Sequence, residues 1–461
     1  MSYSISSIKY SFIGQSILDL ERVKSFLKKF WKLNRVTVSE ENTKVINYIY
    51  DVTKALAKSK VISARSGEQI LSWIVPKNWQ VFEASLLTKS GKKIADFNEN
   101  PLFLWSYSVP YQGIVSKSEL KKHIYTIEHR PFEIPYHYIN AYRYNVRDWG
   151  FSLPGDIWKS ISRIKNFYVN IKASLDEGEL KIVDIYLPGR YKDTICFFAH
   201  TCHPAQVSDG LANVSILLEI FYWLSSLKQR KYSYRFIFGP EYFSAALFLS
   251  KASPSDISFI KAGLYLDMLS NNQPLAFQRS SFFDSPVDQA IRNVLRSHTL
   301  NLLEYSYRSL WGNDEMFYES PPYNIPVSGL GRLMHREYHF SSDNFENINF
   351  YHIKESVWIL QKIIQILEND CIPYLLYHGP LYLSRYSFDK YLYQSDLLKY
   401  IEQIQWEAFS GNPLLFIAEK YHIDFFELLH FFEILKRQKL CRFKKQFSHF
   451  NYWEKKRERN V

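Results

Sequence analysis

Two stretches near the start of the chain, ILDLERVKSFLKKFWKL and NTKVINYIYDVTKALAKS, place apolar residues three and four positions apart, the spacing that lines one face of a helix. They predict helices that cover a sheet. From about Val61 the period shortens to alternation in VISARSGEQILSWIVP, WQVFEASLLT and LFLWSYSVPY, interrupted by SG, VP and SGKK turn signals. A β-rich unit is expected there. It runs through a polar helix at residues 116–125 and the Pro- and Tyr-rich segment RPFEIPYHYINAYRYNVRDWGFSLP to about residue 155.

Beyond it NFYVNIKASL, ELKIVDIYLPG and DTICFFAHT read as strands returning to a central core, the last an unbroken apolar run of the kind buried inside a parallel sheet. A helix at residues 213–227 follows, then strand YRFIFGP, helix YFSAALFLSKA, strand IKAGLYLDML, and helices SPVDQAIRNVLRSH and FYHIKESVWILQKIIQILEN. This alternation predicts an α/β domain whose functional groups gather at the carboxyl ends of the strands. The last eighty or so residues, with LLKYIEQIQWEAFSG, PLLFIAEKYHI, DFFELLHFFEILKRQKL and CRFKK, predict a small helical domain ending in a hairpin. No internal repeat is visible.

A length of 461 residues suits two or three such units, and 46% hydrophobic with 22% charged residues excludes long disorder and fibrous repeats. The 34 Tyr and 34 Phe are heavy usage, explained by core packing or by stacking surfaces. Four cysteines without a CxxC pair suggest neither a disulfide framework nor a thiolate zinc knuckle, so a reducing cytoplasm is expected. The N-terminal stretch does not read as a secretion signal, and the greasiest window, VSILLEIFYWLSSL, is short and carries Glu219. A soluble protein without a membrane partner is expected. The net charge of +11 is densest after Phe432, where ten Lys/Arg face three acids. Such a tail is more often a solvated terminus than a nucleic-acid contact.

Residues able to bind metal recur just after the core strands. ICFFA ends in His200, Thr201, Cys202, His203 and Pro204, and Asp209 stands in SDG directly before a helix. FIFGP ends in Glu241, LYLDM contains Asp267, and REYHFSSDN supplies His339. Imidazoles and carboxylates together suit zinc or another divalent first-row ion, and a nearby unligated Glu241 could take a proton from water. Singly, each residue has a plainer reading: a strand-end His as a hydrogen-bonding residue, an Asp before a helix as its N-cap. Asp267, inside an apolar strand, is harder to dismiss, because a buried carboxylate needs a partner or an ion.

The order of these residues resembles the co-catalytic zinc aminopeptidases, with AHTC, SDGLAN, PEY, LYLDML and YHFSSDN in the places of that family's motifs. It is similar, more closely, to a bacterial branch of aminopeptidase-like proteins often found beside polysaccharide biosynthesis genes. The branch's insert motifs are matched by SGEQILSWIVPKNWQVFEASL, FLWSYSVPYQGIVSKSELKKHI and IPYHYINAYRYNVRDWGFSL, its core motifs by HTCHPAQVSDGLAN, FGPEYFSA and WGNDEMFY. The resemblance implies a zinc-exopeptidase-like three-layer α/β core with a mixed sheet (residues 1–62 and 156–375), an inserted β-rich domain (63–155) and a C-terminal winged-helix-like domain with the basic tail (376–461). It implies His200 or His203, Asp209 and His339 as ligands of a zinc ion, Asp267 as ligand of a second, Glu241 as general base, and Asp314 lining or bracing the substrate pocket. Cys202 stands where the peptidases have the Asp of His-x-Asp, and Tyr242 where they have the second Glu of a Glu-Glu pair. These departures leave one ion or two open, with His203 as an extra imidazole able to restore a ligand.

The activity implied is metal-dependent hydrolysis of a small peptide or amide substrate in glycan or secondary-metabolite assembly. Two rivals are a catalytically degenerate metal- or ligand-binding scaffold and a nucleic-acid-binding regulator using the C-terminal domain. The second recognition-type helix opens Asp424, Phe425, Phe426, Glu427, an acidic start that argues against groove insertion and for packing or a homo-oligomer contact.

Overall fold

Alternate side chains of the strand Thr194–His200 serve two different layers: Ile195, Phe197 and Ala199 pack on one side, Cys196 and Phe198 on the other. Ser233–Gly239 and Ile260–Asp267 repeat the arrangement, with Phe236, Phe238, Leu264 and Leu266 on the first side and Ile237 and Tyr265 on the second. A strand buried on both faces has no polar side to show, which explains the unbroken apolar runs. The computed structural model describes residues 18–143, 145–299, 301–386, 396–444 and 448–459. The extreme N-terminal stretch and part of the basic tail read from sequence lie outside these.

The central sheet has eight strands in the spatial order Lys58–Arg65, Glu179–Leu187, Ser233–Gly239, Thr194–His200, Ile260–Asp267, Val327–Arg332, Leu275–Gln278 and Glu304–Tyr305. Its middle four strands are parallel, and both outer flanks include antiparallel pairs. Helices Leu20–Phe30, Glu40–Thr53, Leu211–Ser226, Pro286–His298 and Phe350–Asn369 cover one face. Phe243–Lys251 and Glu315–Glu319 cover the other, giving the expected three-layer α/β core with a mixed sheet. From the adjacent strands Thr194–His200 and Ile260–Asp267 the chain departs in opposite directions, which opens a crevice at their carboxyl ends. His200 and Asp267 are the last residues of those two strands.

A second, antiparallel sheet orders Lys93–Asp96, Asn78–Thr88, Asn166–Asp176 and Tyr111–Ser116 around its own core of Trp79, Leu86, Phe167 and Val169. It differs from the sequence reading in three ways. VISAR, expected in this unit, lies in Lys58–Arg65 and pairs with Glu179–Leu187 at the edge of the central sheet. Asn166–Asp176, expected in the central core, pairs along its length with Asn78–Thr88, so this sheet runs on past residue 155. LFLWSYSVPY forms a short 3-10 turn at Pro101–Phe103 and irregular chain, and the strand comes after it. Periodicity reports that a side chain is buried but not which sheet buries it.

At the C-terminal end three helices, Ile401–Phe409, Leu414–Tyr421 and Phe425–Arg437, precede the strand Cys441–Phe443. That strand pairs with Pro373–Leu375, not with a hairpin neighbour, and the chain continues into helix His449–Arg459. Phe450 and Trp453, three positions apart and buried, give the last helix its apolar face. Among the described residues no helix is long and apolar enough to cross a membrane.

Gly331 lies opposite Asp267 in the parallel ladder, and a Cβ there would stand 2.4 Å from the Asp267 carbonyl oxygen and 3.0 Å from the Trp311 ring. Gly331→Ala is expected to cost about 1–3 kcal/mol through this overpacking. Chemical unfolding measures it, and an unchanged midpoint would show that the Asp267 strand moves aside freely.

Candidate metal centre

Asp209 occupies the middle of the site. It is buried just ahead of helix Leu211–Ser226, where the backbone passes Gly210 at φ +118°. Its Oδ1 lies 3.6 Å from His200 Nε2, and its Oδ2 lies 3.7 Å from His203 Nε2 and 3.2 Å from His339 Nε2. Asp267 Oδ1 stands 4.0 Å from His200 Nε2. Two groups of potential ligands therefore share Asp209: His200, Asp209 and Asp267 on one side, His203, Asp209 and His339 on the other, each with ligand atoms within 4.8 Å of one another. Glu241 Oε2 borders the second group, 3.8 Å from His203 Nε2.

The six residues singled out in the sequence, His200, His203, Asp209, Glu241, Asp267 and His339, thus stand together, and both His200 and His203 face Asp209. Tyr242 leaves no carboxylate at the place of the second Glu: its ring packs on Trp73 and Phe317, and its hydroxyl donates to the Gly312 carbonyl. His203 brings an imidazole to that side instead. Cys202 links the two neighbours, with Sγ accepting from the Glu241 N–H at 3.3 Å and lying 3.3 Å from His203 Nδ1. That contact occupies one ring nitrogen and turns the other toward Asp209. Asp314 has its oxygens committed to the Tyr242 N–H at 2.6 Å and the Ser244 hydroxyl at 2.5 Å, so it braces the turn that carries Glu241.

Several contributors carry no local sequence signal. Asp343, inside the SSDN turn, accepts the Ser208 and Asp209 N–H groups at 2.8 and 3.0 Å and fixes the backbone that presents Asp209. The inserted segment around residues 131–142 reaches across to the His339 loop, where the Tyr136 N–H donates to the His339 carbonyl and the Ser341 N–H to the Ile134 carbonyl, both at 2.9 Å. It sets Tyr136 and Tyr138 edge-on to His339, while Tyr338 stacks on it with centroids 3.9 Å apart. Tyr142 donates to Glu241 Oε2 at 3.5 Å. The tyrosine-rich text of the insert therefore borders the site.

The backbone is bent where the chemistry gathers. His203, Ala205, Tyr242, Met268 and His339 all have φ between +48° and +77°. Each such conformation costs about 1–3 kcal/mol and persists only where surrounding contacts enforce it.

Burial decides the charges. It pushes the His200 imidazole below its usual value and His203 down to about 3, with Asp209 opposing, so both rings are neutral near pH 7. Burial acts against ionisation of Asp209, but His203, His339 and His200 outweigh it and hold that carboxyl well below the usual range. Asp267 is pushed well up by burial and by the charge of Asp209. Glu241 is pushed up by burial first, then by Asp209, Asp267, Asp314 and Glu315. Asp209 Oδ2, Asp267 Oδ1 and His339 Nε2 are buried without an aligned hydrogen-bond partner. Neutral imidazoles and under-satisfied carboxylates on opposite walls of one small space are the donor set that divalent zinc takes.

Known proteins resemble this chain in sequence and in fold. The family model described as "Domain of unknown function (DUF4910)" matches residues 24–370. A Clostridium acetobutylicum protein named "Putative polysaccharide biosynthesis protein with aminopeptidase-like domain" is 31% identical over 322 residues, 69% of this chain and 72% of its own length. The crystal structure of a "putative peptidase" from Clostridium acetobutylicum superposes with a TM-score of 0.80 at 26% identity, over 92% of this chain and 96% of that one. A zinc aminopeptidase from Bacillus subtilis shares the fold with a TM-score of 0.56 at 12% identity, over 76% of this chain and 95% of that one. The chain belongs to the aminopeptidase-like family described by that domain of unknown function, and its matched span holds every residue of the site.

Proposed function

We propose that this protein is a metal-dependent hydrolase of a peptide or amide bond, of the zinc aminopeptidase type, acting on a small substrate in polysaccharide or secondary-metabolite assembly. The observation that carries the reading is the convergence of His200, His203 and His339 on one buried carboxylate, Asp209, beside Glu241 and Asp267. The curated relative's name and the zinc aminopeptidase fold support it.

His200, Asp209 and Asp267 would hold one ion, and His203, Asp209 and His339 a second. When bound, such an ion lowers the pKa of water toward ~7 and polarises a carbonyl oxygen. The protein's own part is to keep both histidines neutral by burial, so that their ring nitrogens are available as donors. Glu241, poised between the Tyr142 hydroxyl and the His203 ring, is placed to accept a proton from the attacking water and to return it to the departing amine nitrogen. The aromatic wall of Trp73, Tyr142, Tyr242 and Phe317 beside Glu241 supports a substrate with an apolar or ring-bearing group next to the scissile bond.

Protein purified without chelator is expected to contain zinc by elemental analysis, and His339→Ala to lose at least part of it. Metal-free wild type would overturn the reading. Glu241→Gln should retain the metal while aminoacyl-amide hydrolysis falls by about 10²–10⁴-fold; equal hydrolysis by variant and wild type would remove Glu241 from the role of base. Asp343→Ala, which frees the backbone under Asp209, should weaken zinc affinity by about 10–100-fold in a chelator competition. Unaltered affinity would make Asp343 a bystander.

A further inference from the structure

Arg35 is a wholly buried cation in the segment between helices Leu20–Phe30 and Glu40–Thr53, far in sequence from the site. Its Nε donates to the Thr201 carbonyl at 3.0 Å, and its Nη2 to the carbonyls of His203 at 2.6 Å and Gln206 at 2.8 Å. Its Nη1 donates to the carbonyls of Phe30 at 2.8 Å and Trp31 at 2.9 Å. All five N–H donors of the fork are thus accounted for, every one by backbone. Among the described residues no carboxylate pairs with it. A charge buried at this cost and spent only on carbonyls fixes the path of a loop.

The loop concerned turns from strand Thr194–His200 to Asp209, and the three clamped carbonyls bracket its least favourable conformations, His203 at φ +77° and Ala205 at φ +51°. Relaxing these toward negative φ would swing the His203 ring away from Asp209 and Glu241. His200 has no such need, because it is the last residue of a central strand and pairs opposite Gly239 in the ladder.

We propose that Arg35 is the positioning residue for one half of the metal centre: it sets the His203 ring in place for the His203, Asp209 and His339 group, while the His200, Asp209 and Asp267 group is held by the sheet at His200 and Asp267 and by Asp343 at the Asp209 backbone, and does not depend on it. The inference rests on the metal-dependent reading above, and it divides the site into a sheet-held half and a clamp-held half.

The test uses the full-length protein freed of metal and titrated with cobalt(II), read by visible absorption and equilibrium dialysis. His200→Ala and His203→Ala first identify the bands belonging to each half. Arg35→Met and Arg35→Lys should then weaken by about 10–100-fold the ion that His203→Ala removes. The ion that His200→Ala removes should keep its affinity within about threefold. Arg35→Lys keeps the charge but not the fork, so it carries the test if the methionine variant does not fold. Arg22→Met, which breaks an ion pair with buried Glu219 without touching the loop, should lower the melting temperature and leave the cobalt bands in place. Equal weakening of both halves in the Arg35 variants, or no weakening of either, overturns the inference while the metal reading stands. Failure of the wild-type protein to bind cobalt overturns the metal reading itself.

Discussion

A single buried carboxylate, Asp209, organises the functional end of this molecule. Removed from water, an ionised carboxylate is tolerable only if positive or polarisable groups surround it. Here three imidazoles take that place and two N–H groups beside it are tied down by Asp343. The other local features follow from the need to bring those groups to it: the crevice between diverging strands, the bent loop after His200, the left-handed turn at His339 and the reach of the inserted segment across the site.

The site is asymmetric in how it is supported. His200 and Asp267 stand on neighbouring parallel strands, so hydrogen-bonded ladders fix their separation. His203 and His339 stand on irregular loops with positive φ, and loops hold such conformations only through contacts from elsewhere. For His203 those contacts come from the N-terminal segment, and for His339 from the insert through Tyr136, Ile134 and Pro135. Segments distant in sequence are thereby committed to the same small region around Asp209.

The two departures from the zinc aminopeptidase pattern fit together in space. A tyrosine in place of a ligating carboxylate turns one wall aromatic and removes a negative charge. Cys202, a neutral buried thiol, takes a contact with His203 instead of ionising, since burial with Glu241 and Asp209 close by pushes it well above its ordinary value. The balance shifts from carboxylates toward imidazoles, which lowers the repulsion that Glu241, Asp209 and Asp267 would otherwise meet.

Sequence alone placed His200 at a strand end, Glu241 just past one and Asp267 in an apolar strand, together with the α/β alternation and the covering helices, because apolar periodicity and strand ends are properties of short stretches. It also carried the family resemblance through HTCHPAQVSDGLAN and FGPEYFSA. Only the tertiary structure decided that His200 and His203 both face Asp209, that Asn166–Asp176 belongs to the inserted sheet, that Cys441–Phe443 pairs with Pro373–Leu375, and that Arg35 and Asp343 hydrogen-bond the backbone around His203 and Asp209. Strand partners and loop dihedrals are set by hydrogen bonds between residues tens to hundreds of positions apart. No pattern within a short window records them.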